Sequence, residues 1–345
     1  MVPWKLIQWK LFREHFLKAE DEYIIAGDEV VVSKAGKETH GLDRFFSGLQ
    51  QRAIPSLSFF GLSLVNIGEE RSYPMQATQT VKSAEEKAAS KSKAEAKKTA
   101  DKKKRGRPKG SQNKAKQEVV LNAELLRIQK ALESLLETVG NSIKLSYVVL
   151  DGHFGNYPSA FMVKQAKLDL ISKMRSDAAL YPAFEGEYRG TGRPAKYGEK
   201  IVVHNLDAKY LKEICIADGL RTDIYQGQFY NKEFAFALNV VILLKTNLET
   251  GRQAHVILFS TDLEFAYEKI IRFYSLRFQI EFNFRDAKQY WGLEDFMNVK
   301  EEAVTNAANL SFFMVNFSFA LLQPFRQQNS DYSVLDLKSH YRGCR

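Results

Sequence analysis

Cysteine is almost missing from this chain: Cys215 and Cys344 are the only two in 345 residues. Two cannot build a disulfide framework, and without Cys pairs at ligand spacing a thiolate zinc site is excluded. A reducing setting inside the cell is the expectation. Long hydrophobic runs are lacking as well. The opening MVPWKLIQWKLFREHF is charged throughout and has no continuous apolar stretch of the kind a secretory signal needs. The most apolar late stretch, Ala307 to Leu322, is interrupted by Asn309, Ser311, Asn316 and Ser318. It falls short of the ~20 residues of a spanning helix, so it reads as a core helix and no membrane partner is expected. Tryptophan is scarce too, with Trp4, Trp9 and Trp291 and none between 180 and 260. What the chain does have is a 45% hydrophobic share, 24 Phe and 15 Tyr, enough for one large or two smaller packed cores.

The net charge of +9 is unevenly spread. Between Lys82 and Gln117 stand 14 Lys/Arg against 4 acids, a local +10 that leaves the rest of the chain at −1. This Lys/Ala/Ser tract has no hydrophobic stripe to offset the entropy of ordering and reads as a disordered insertion. Within it, Arg105-Gly106-Arg107-Pro108 resembles an AT-hook, whose two Arg side chains suit the narrow minor groove of A·T-rich duplex. A non-specific polybasic tether is the slightly favoured alternative, and either use implies a nucleic acid.

Before the tract, YIIAGD (23–28), SLSFFGLSLV (56–65) and RSYPMQATQTV (71–81) read as strands. After it, Leu121, Leu125, Ile128, Leu132, Leu135 and Val139 recur at steps of four and three, an amphipathic helix stopped by Gly140. LSYVVL (145–150) has a buried-strand pattern, followed by a short helix near 159–166 and the run LDLISKM (168–174). From Leu180 to about Ser260 the texture turns to short β-type runs with Gly-rich turns, and from Leu263 it is helical again. The fold class is therefore α/β, a mixed sheet flanked by helices with a β-rich stretch before the last helices.

Two predicted strands end on acids, Asp28 and Asp151, the place where sites in α/β sheets gather. Either could equally be a turn or cap residue, and Gly152 and Gly155 fit a tight turn after Asp151. A third acid, Glu281, lies in a stripe with Tyr274, Arg277 and Lys288 at i, i+3, i+7 and i+14, predicted to share one helix face. Phe273, Phe278, Ile280, Phe282 and Phe284 around it require much of that helix to be buried. Beside buried aromatics, a Tyr/Arg/Glu/Lys stripe suits a polyanionic ligand better than an exposed ion-pair ladder. Three acids from separate segments are the minimum set for hard divalent ions.

At these residues the chain resembles a known family. YSLRFQIEFNFRDAKQYWGLEDF, with its Tyr-x2-Arg-x3-Glu-x6-Lys spacing, is similar to the signature of bacterial insertion-sequence transposases of the Tyr-Arg-Glu-Lys group within the DDE superfamily. The likeness extends to YIIAGDEVVVSKAGKETHGLDRFFSG and VVLDGHFGNYPSAF and covers roughly residues 20–325. It implies a ribonuclease-H-like sheet interrupted by a β-rich insertion before the glutamate. It implies that Asp28, Asp151 and Glu281 are catalytic and hold two Mg²⁺ ions, for which Mn²⁺ can substitute. Tyr274, Arg277 and Lys288 would contact phosphate of double-stranded DNA, at transposon ends and target. Strand nicking by water would precede attack of the freed 3′-hydroxyl on target DNA, by a homodimer assembled on DNA in the bacterial cytoplasm at the nucleoid. On this reading residues 1–81, 119–179 and 261–325 form the catalytic core, 82–118 is the basic insertion, 180–260 the β-rich insertion and 326–345 a shortened tail. With only 27 residues before Asp28, a partial copy is expected, without an end-recognition domain.

The chain also departs from that pattern. Relatives that form hairpin intermediates hold a flipped base with a Trp in the β-rich region; here only Tyr188, Tyr197, Tyr225 or Tyr230 could offer the stacking surface. Further candidates are weaker. Arg189, Arg193 and Lys196 in RGTGRPAKYG are DNA contacts or an ordinary exposed turn, as are Lys34 and Lys37. His153 reads as a supporting residue, and Asp262 as a reserve carboxylate whose ordinary role is a helix N-cap.

Overall fold

The computed structural model describes residues 2–88, 92, 119–187, 190, 192 and 195–343. Most of the basic tract, including Arg105 and Arg107, and also Tyr188, Arg189 and Arg193 lie outside the described residues.

Two β-branched runs, Ile24-Ile25 and Val30-Val31-Val32, make YIIAGDEVVVS a single strand, β1 (Tyr23–Ser33). The predicted strand stopped at Asp28; the structure carries it five residues further, because Val30 and Val32 continue the buried alternation. β1 pairs antiparallel with β3 (Arg52–Asn66) along its whole length. The far edge of β3 is shared by β2 (Asp43–Ser47) and β4 (Arg71–Gln79). On its other side β1 runs parallel to β5 (Tyr147–Leu150), which runs parallel to β6 (Asp169–Met174). β7 (Leu211–Ala217), β8 (Leu220–Tyr230), β9 (Ala237–Asn247) and β10 (Gln253–Ser260) form an antiparallel meander. β10 pairs antiparallel with β6, so the β-rich stretch continues the main sheet instead of standing apart from it. The Gly-rich run after Leu180 is not stranded as its texture suggested: among its described residues it makes only the bridges Tyr181–Tyr230 and Ala183–Tyr197.

Helices cover both faces. Trp9 and Phe12 from α1 (Trp4–His15), Phe16 just beyond its end and the Leu125–Val139 stripe of α2 (Ala123–Val139) pack with α3 (Tyr157–Gln165) on one face. On the other lie α4 (Tyr267–Leu276), α5 (Gln279–Trp291) and α6 (Glu301–Gln328). A C-terminal α7 spans Val334–Gly343. Strand alternation decides which residue serves which face. Tyr23, Ile25, Val148 and Leu150 join the α1–α2 core, whereas Ile24, Ala26 and Val149 join the α4–α5 core.

The helix α6 is long and apolar enough to cross a membrane, yet its polar residues have partners in the fold. Asn309 brackets Ala77 of the edge strand β4, accepting from its N–H at 3.4 Å and donating to its carbonyl at 3.2 Å. Asn316 donates to the Pro74 carbonyl at 2.8 Å and to Gln8 at 3.0 Å, and Ser311 to the Trp291 carbonyl at 2.8 Å. Asn309 and Asn316, two of the residues that interrupt the apolar run, satisfy the open edge of β4, where Pro74 is tolerated because no further strand pairs there.

Candidate active site

The parallel pairing of β1 with β5 ends at Gly27 opposite Leu150. The next residues are Asp28 and Asp151, side by side in register. By alternation both follow the row of Ala26 and Val149, the row that faces α4 and α5. There the strands part: β1 runs on, while Asp151 caps a single 3₁₀ turn, Gly152–Phe154, accepting from the His153 N–H at 3.1 Å. The cap role weighed for Asp151 and its place beside Asp28 therefore coexist. Gly155 closes this turn against β6, and a Cβ there would lie 2.1 Å from the Lys173 carbonyl oxygen. Backbone cannot yield as a side chain would. Gly155→Ala is expected to cost about 1–3 kcal/mol by overpacking and to push the Asp151 turn off β6, read as a lower melting temperature.

Across the fork lies α5. Gly61, paired with Asp28, leaves room for the Phe284 ring; a Cβ there would be 2.8 Å from it. Asn283 ties the same helix to β3 and β4 by donating to Ser63 and Ser72 at 3.3 and 2.7 Å. Glu281, less than a turn before Phe284, thereby lines the same cavity of about 660 Å³ as Asp28 and Asp151. The predicted single helix from Tyr274 to Lys288 is in fact two. The α4 ladder ends at Leu276, and Arg277 and Phe278 form a tight turn in which the Glu281 N–H donates to the Phe278 carbonyl three residues back. The stripe survives this break only in part.

Arg277, expected on DNA phosphate, bridges two of the acids in this structure: its Nη1 lies 2.5 Å from an Asp28 oxygen and its Nη2 3.7 Å from Glu281. Its side chain is only 13% exposed and its Nε is buried without a partner. Lys288, also expected on phosphate, donates to the Val31 carbonyl at 2.9 Å and pairs with Glu294 at 2.8 Å. Tyr274 is half-buried under the Arg277 guanidinium, and its hydroxyl is pushed up mainly by burial. Lys34 is tied to the Glu294 and Phe296 carbonyls at 2.9 and 2.8 Å. Lys196 sits over the Tyr230 ring at 4.7 Å, away from the cavity lining. Asp262 lies outside the cavity as well, accepting from the Tyr147 hydroxyl at 2.7 Å and from the Glu264 N–H at 3.1 Å.

Burial is the first cause of the Asp28 carboxyl being pushed up to about 6, with the Asp151 and Glu281 charges adding to it; Arg277 and the Glu29 N–H oppose the rise. Glu281 is raised by burial and lowered by Arg277. Because the ordinary Asp value is 3.8, the folded chain holds an extra proton between that pH and about 6. This group's contribution is thus fully present below the unfolded value and is lost as pH rises through the folded one, by roughly 3 kcal/mol. Without divalent ions, denaturant unfolding of wild type minus Asp28→Asn should decline over this window; a flat difference would refute the assignment.

The cavity also holds groups that periodicity did not single out. Glu124 opens α2 just before its first core leucine and pairs with His153 at 3.4 Å, which raises the imidazole. Glu29 accepts from the Ser58 hydroxyl. Phe46 and Leu49, from the β2–β3 hairpin, form part of the rim. Among the described residues no three Asp, Glu, His or Cys converge tightly enough to hold a metal ion as they stand. Arg277 lies between two of the three candidates. Their donor set, all carboxylate oxygen, fits a hard divalent ion once that guanidinium leaves.

A family model described as DDE superfamily endonuclease matches residues 2–225, well over half of the chain. The chain belongs to the DDE superfamily endonucleases. No curated protein matches it. As a member of this superfamily it is a transposase-like nuclease of a class that acts on DNA and generally uses divalent metal ions. Its large mixed sheet flanked by helices agrees with the ribonuclease-H-like fold of such endonucleases. The match includes Asp28 and Asp151 and stops in β8. Glu281 therefore rests on cavity geometry and on the Tyr-Arg-Glu-Lys spacing.

Proposed function

We propose that this DDE endonuclease is an insertion-sequence transposase of the Tyr-Arg-Glu-Lys group, cleaving DNA at element ends and joining the freed 3′-hydroxyl to target DNA. The observation that carries the reading is the register pair Asp28–Asp151 at the fork of two parallel strands, facing Glu281 across one cavity. These three carboxylates would hold two Mg²⁺ ions, or Mn²⁺ in their place. Bound there, the ions would activate the attacking oxygen and stabilise the leaving one. The protein's own part is to bring the carboxylates together and to position DNA. Arg277 gives up Asp28 and Glu281 for a phosphate, which it can grip bidentately; Lys288, released from Glu294, supplies a point charge. Tyr274 orients Arg277 from beneath. The basic tract, with Arg105 and Arg107, tethers duplex electrostatically, and Arg193 and Lys196 extend that contact. Joining two ends calls for a homodimer on DNA, and residues 180–260 act as the insertion between the second and third acids.

One observation favours a second reading. With Arg277 closed on Asp28 and Glu281, the chain suits a transposase-derived protein that binds DNA without cutting it. Incubation of plasmid and duplex DNA with Mg²⁺ or Mn²⁺, using wild type, Asp28→Asn, Asp151→Asn and Glu281→Gln, separates the two. Metal-dependent cleavage abolished in each variant supports the transposase; tight binding with no cleavage by wild type supports the other reading.

A further inference from the structure

The hairpin joining β2 to β3 puts its most apolar side chains in water. Leu49 at its tip is 96% exposed and Phe46 is 60% exposed, while Phe45 between the strands is buried. Isolated exposed apolar residues are ordinary, but these two form the rim of the cavity that holds the three acids. The tip is not a slack loop. Gln51, at a φ of +51°, turns the chain and donates to the Gly48 carbonyl at 2.5 Å, and Arg44 fastens the strands by donating to the Ala53 carbonyl at 2.6 Å.

The charge around this hairpin indicates what it meets. Its one acid, Asp43, is neutralised by Lys82 and Lys87 at 3.8 and 3.5 Å. Lys82 also lies over the buried Phe45 ring at 4.3 Å and donates to the Arg44 carbonyl at 2.7 Å. These two lysines, at the root of the hairpin, are the first cations of the tract that carries +10 in the sequence. Arg44 and Arg52 are exposed on the hairpin itself, whereas Arg285 on the facing cavity wall is paired with Asp286 at 3.0 Å. An apolar tip flanked by the exposed Arg44 and Arg52, beside acids that suit metal, matches DNA: phosphates for the cations and base faces for the apolar tip.

We propose that the β2–β3 hairpin is a DNA wedge, with Leu49 and Phe46 inserted against bases flanking the phosphate held at the acid cavity. The proposal rests on the DNA-cleaving reading of that cavity. The wedge separates neighbouring bases, and the exposed Arg44 and Arg52 of the same hairpin meet the flanking phosphates.

Full-length protein with Ca²⁺ would be titrated onto duplexes carrying 2-aminopurine on either side of a nick, alongside intact duplex. Wild type should raise the 2-aminopurine fluorescence. A Phe46→Ser/Leu49→Ser variant should lose that rise and bind nicked DNA roughly tenfold more weakly, the scale of lost base contacts, with binding of intact duplex little changed. Because both side chains are exposed, its melting temperature should equal that of wild type. An undiminished fluorescence rise in the variant would overturn the wedge while leaving the cleavage reading intact. So would a loss of self-association in the variant with no change on DNA, which would make the tip a contact between copies of the chain. A wild type that neither binds duplex nor cleaves it with Mg²⁺ would remove both proposals together.

Discussion

Replacing Glu281 with Gln is expected to lower metal-dependent DNA cleavage by at least about 10³-fold, a loss of several kcal/mol of charge stabilisation. Gln keeps the size and shape of the side chain and removes only the negative oxygen that a hard cation requires. The Glu281 side chain is 44% exposed and pairs with Arg277 only at 3.7 Å, so the fold loses little with its charge. Its charge also disfavours ionisation of Asp28 next to it. The variant should therefore melt at or slightly above the wild-type temperature and bind duplex normally, while failing to cut. This split between stability and rate separates a metal-holding acid from a structural one. Asp262→Asn is the matched control. It lies outside the cavity, and Asn can still accept from the Glu264 N–H and pair with the Tyr147 hydroxyl, so the variant should cut at the wild-type rate and lose little stability. Full cleavage by Glu281→Gln would remove this residue from the mechanism and leave Asp28 and Asp151 without their third partner.

How far the sequence foretold this site depends on the kind of signal each residue carried. Strand alternation made the sheet core legible. It also carried hidden information about Asp28 and Asp151, since even-numbered residues of β1 and odd-numbered residues of β5 share one face. What alternation could not supply was the register that sets Gly27 against Leu150, because strand pairing across more than a hundred residues leaves no local trace. The late helix was legible as amphipathic, but its break at Arg277–Phe278 was not. Both residues keep right-handed helical backbone angles, and neither is a Gly or Pro that would announce a turn. Glu124 was hidden by the core stripe it precedes. The hairpin DRFFSGLQQR (43–52) carried no sign of its exposure, because two exposed apolar residues look in sequence like any buried pair. The continuation of the sheet through β10 was equally invisible, being a pairing between β6 and a strand some ninety residues later.

The residue whose motif role and structural position differ most is Arg277, and its removal should have the second large effect. Arg277→Gln takes the counter-charge from a carboxylate that is only 20% exposed. Breaking such a pair costs up to about 3–5 kcal/mol when the remaining charge has nowhere to go. Asp28, already pushed up to about 6 by burial, has an exit: without Arg277 its carboxyl rises further and takes a proton. The loss at pH 7 is thereby limited to roughly 1.4 kcal/mol, one pH unit above the wild-type value of about 6, and should nearly vanish at pH 5, where a neutral Asp28 needs no partner. Divalent ions add the second half of the test. In wild type an ion must displace the guanidinium before it can use Asp28 and Glu281, whereas in the variant those oxygens are free. Mn²⁺ should therefore raise the melting temperature of Arg277→Gln by more than it raises that of wild type, and should do so at pH 7 more than at pH 5, where protons compete for Asp28. Equal Mn²⁺ shifts in the two proteins would mean that Arg277 does not stand where the ion binds. An equal stability loss at both pH values would mean that Arg277 supports the fold by packing and not through the charge of Asp28. The expected pattern, unstable without metal and rescued by it, makes Arg277 the internal cation that holds Asp28 and Glu281 until metal and DNA arrive together.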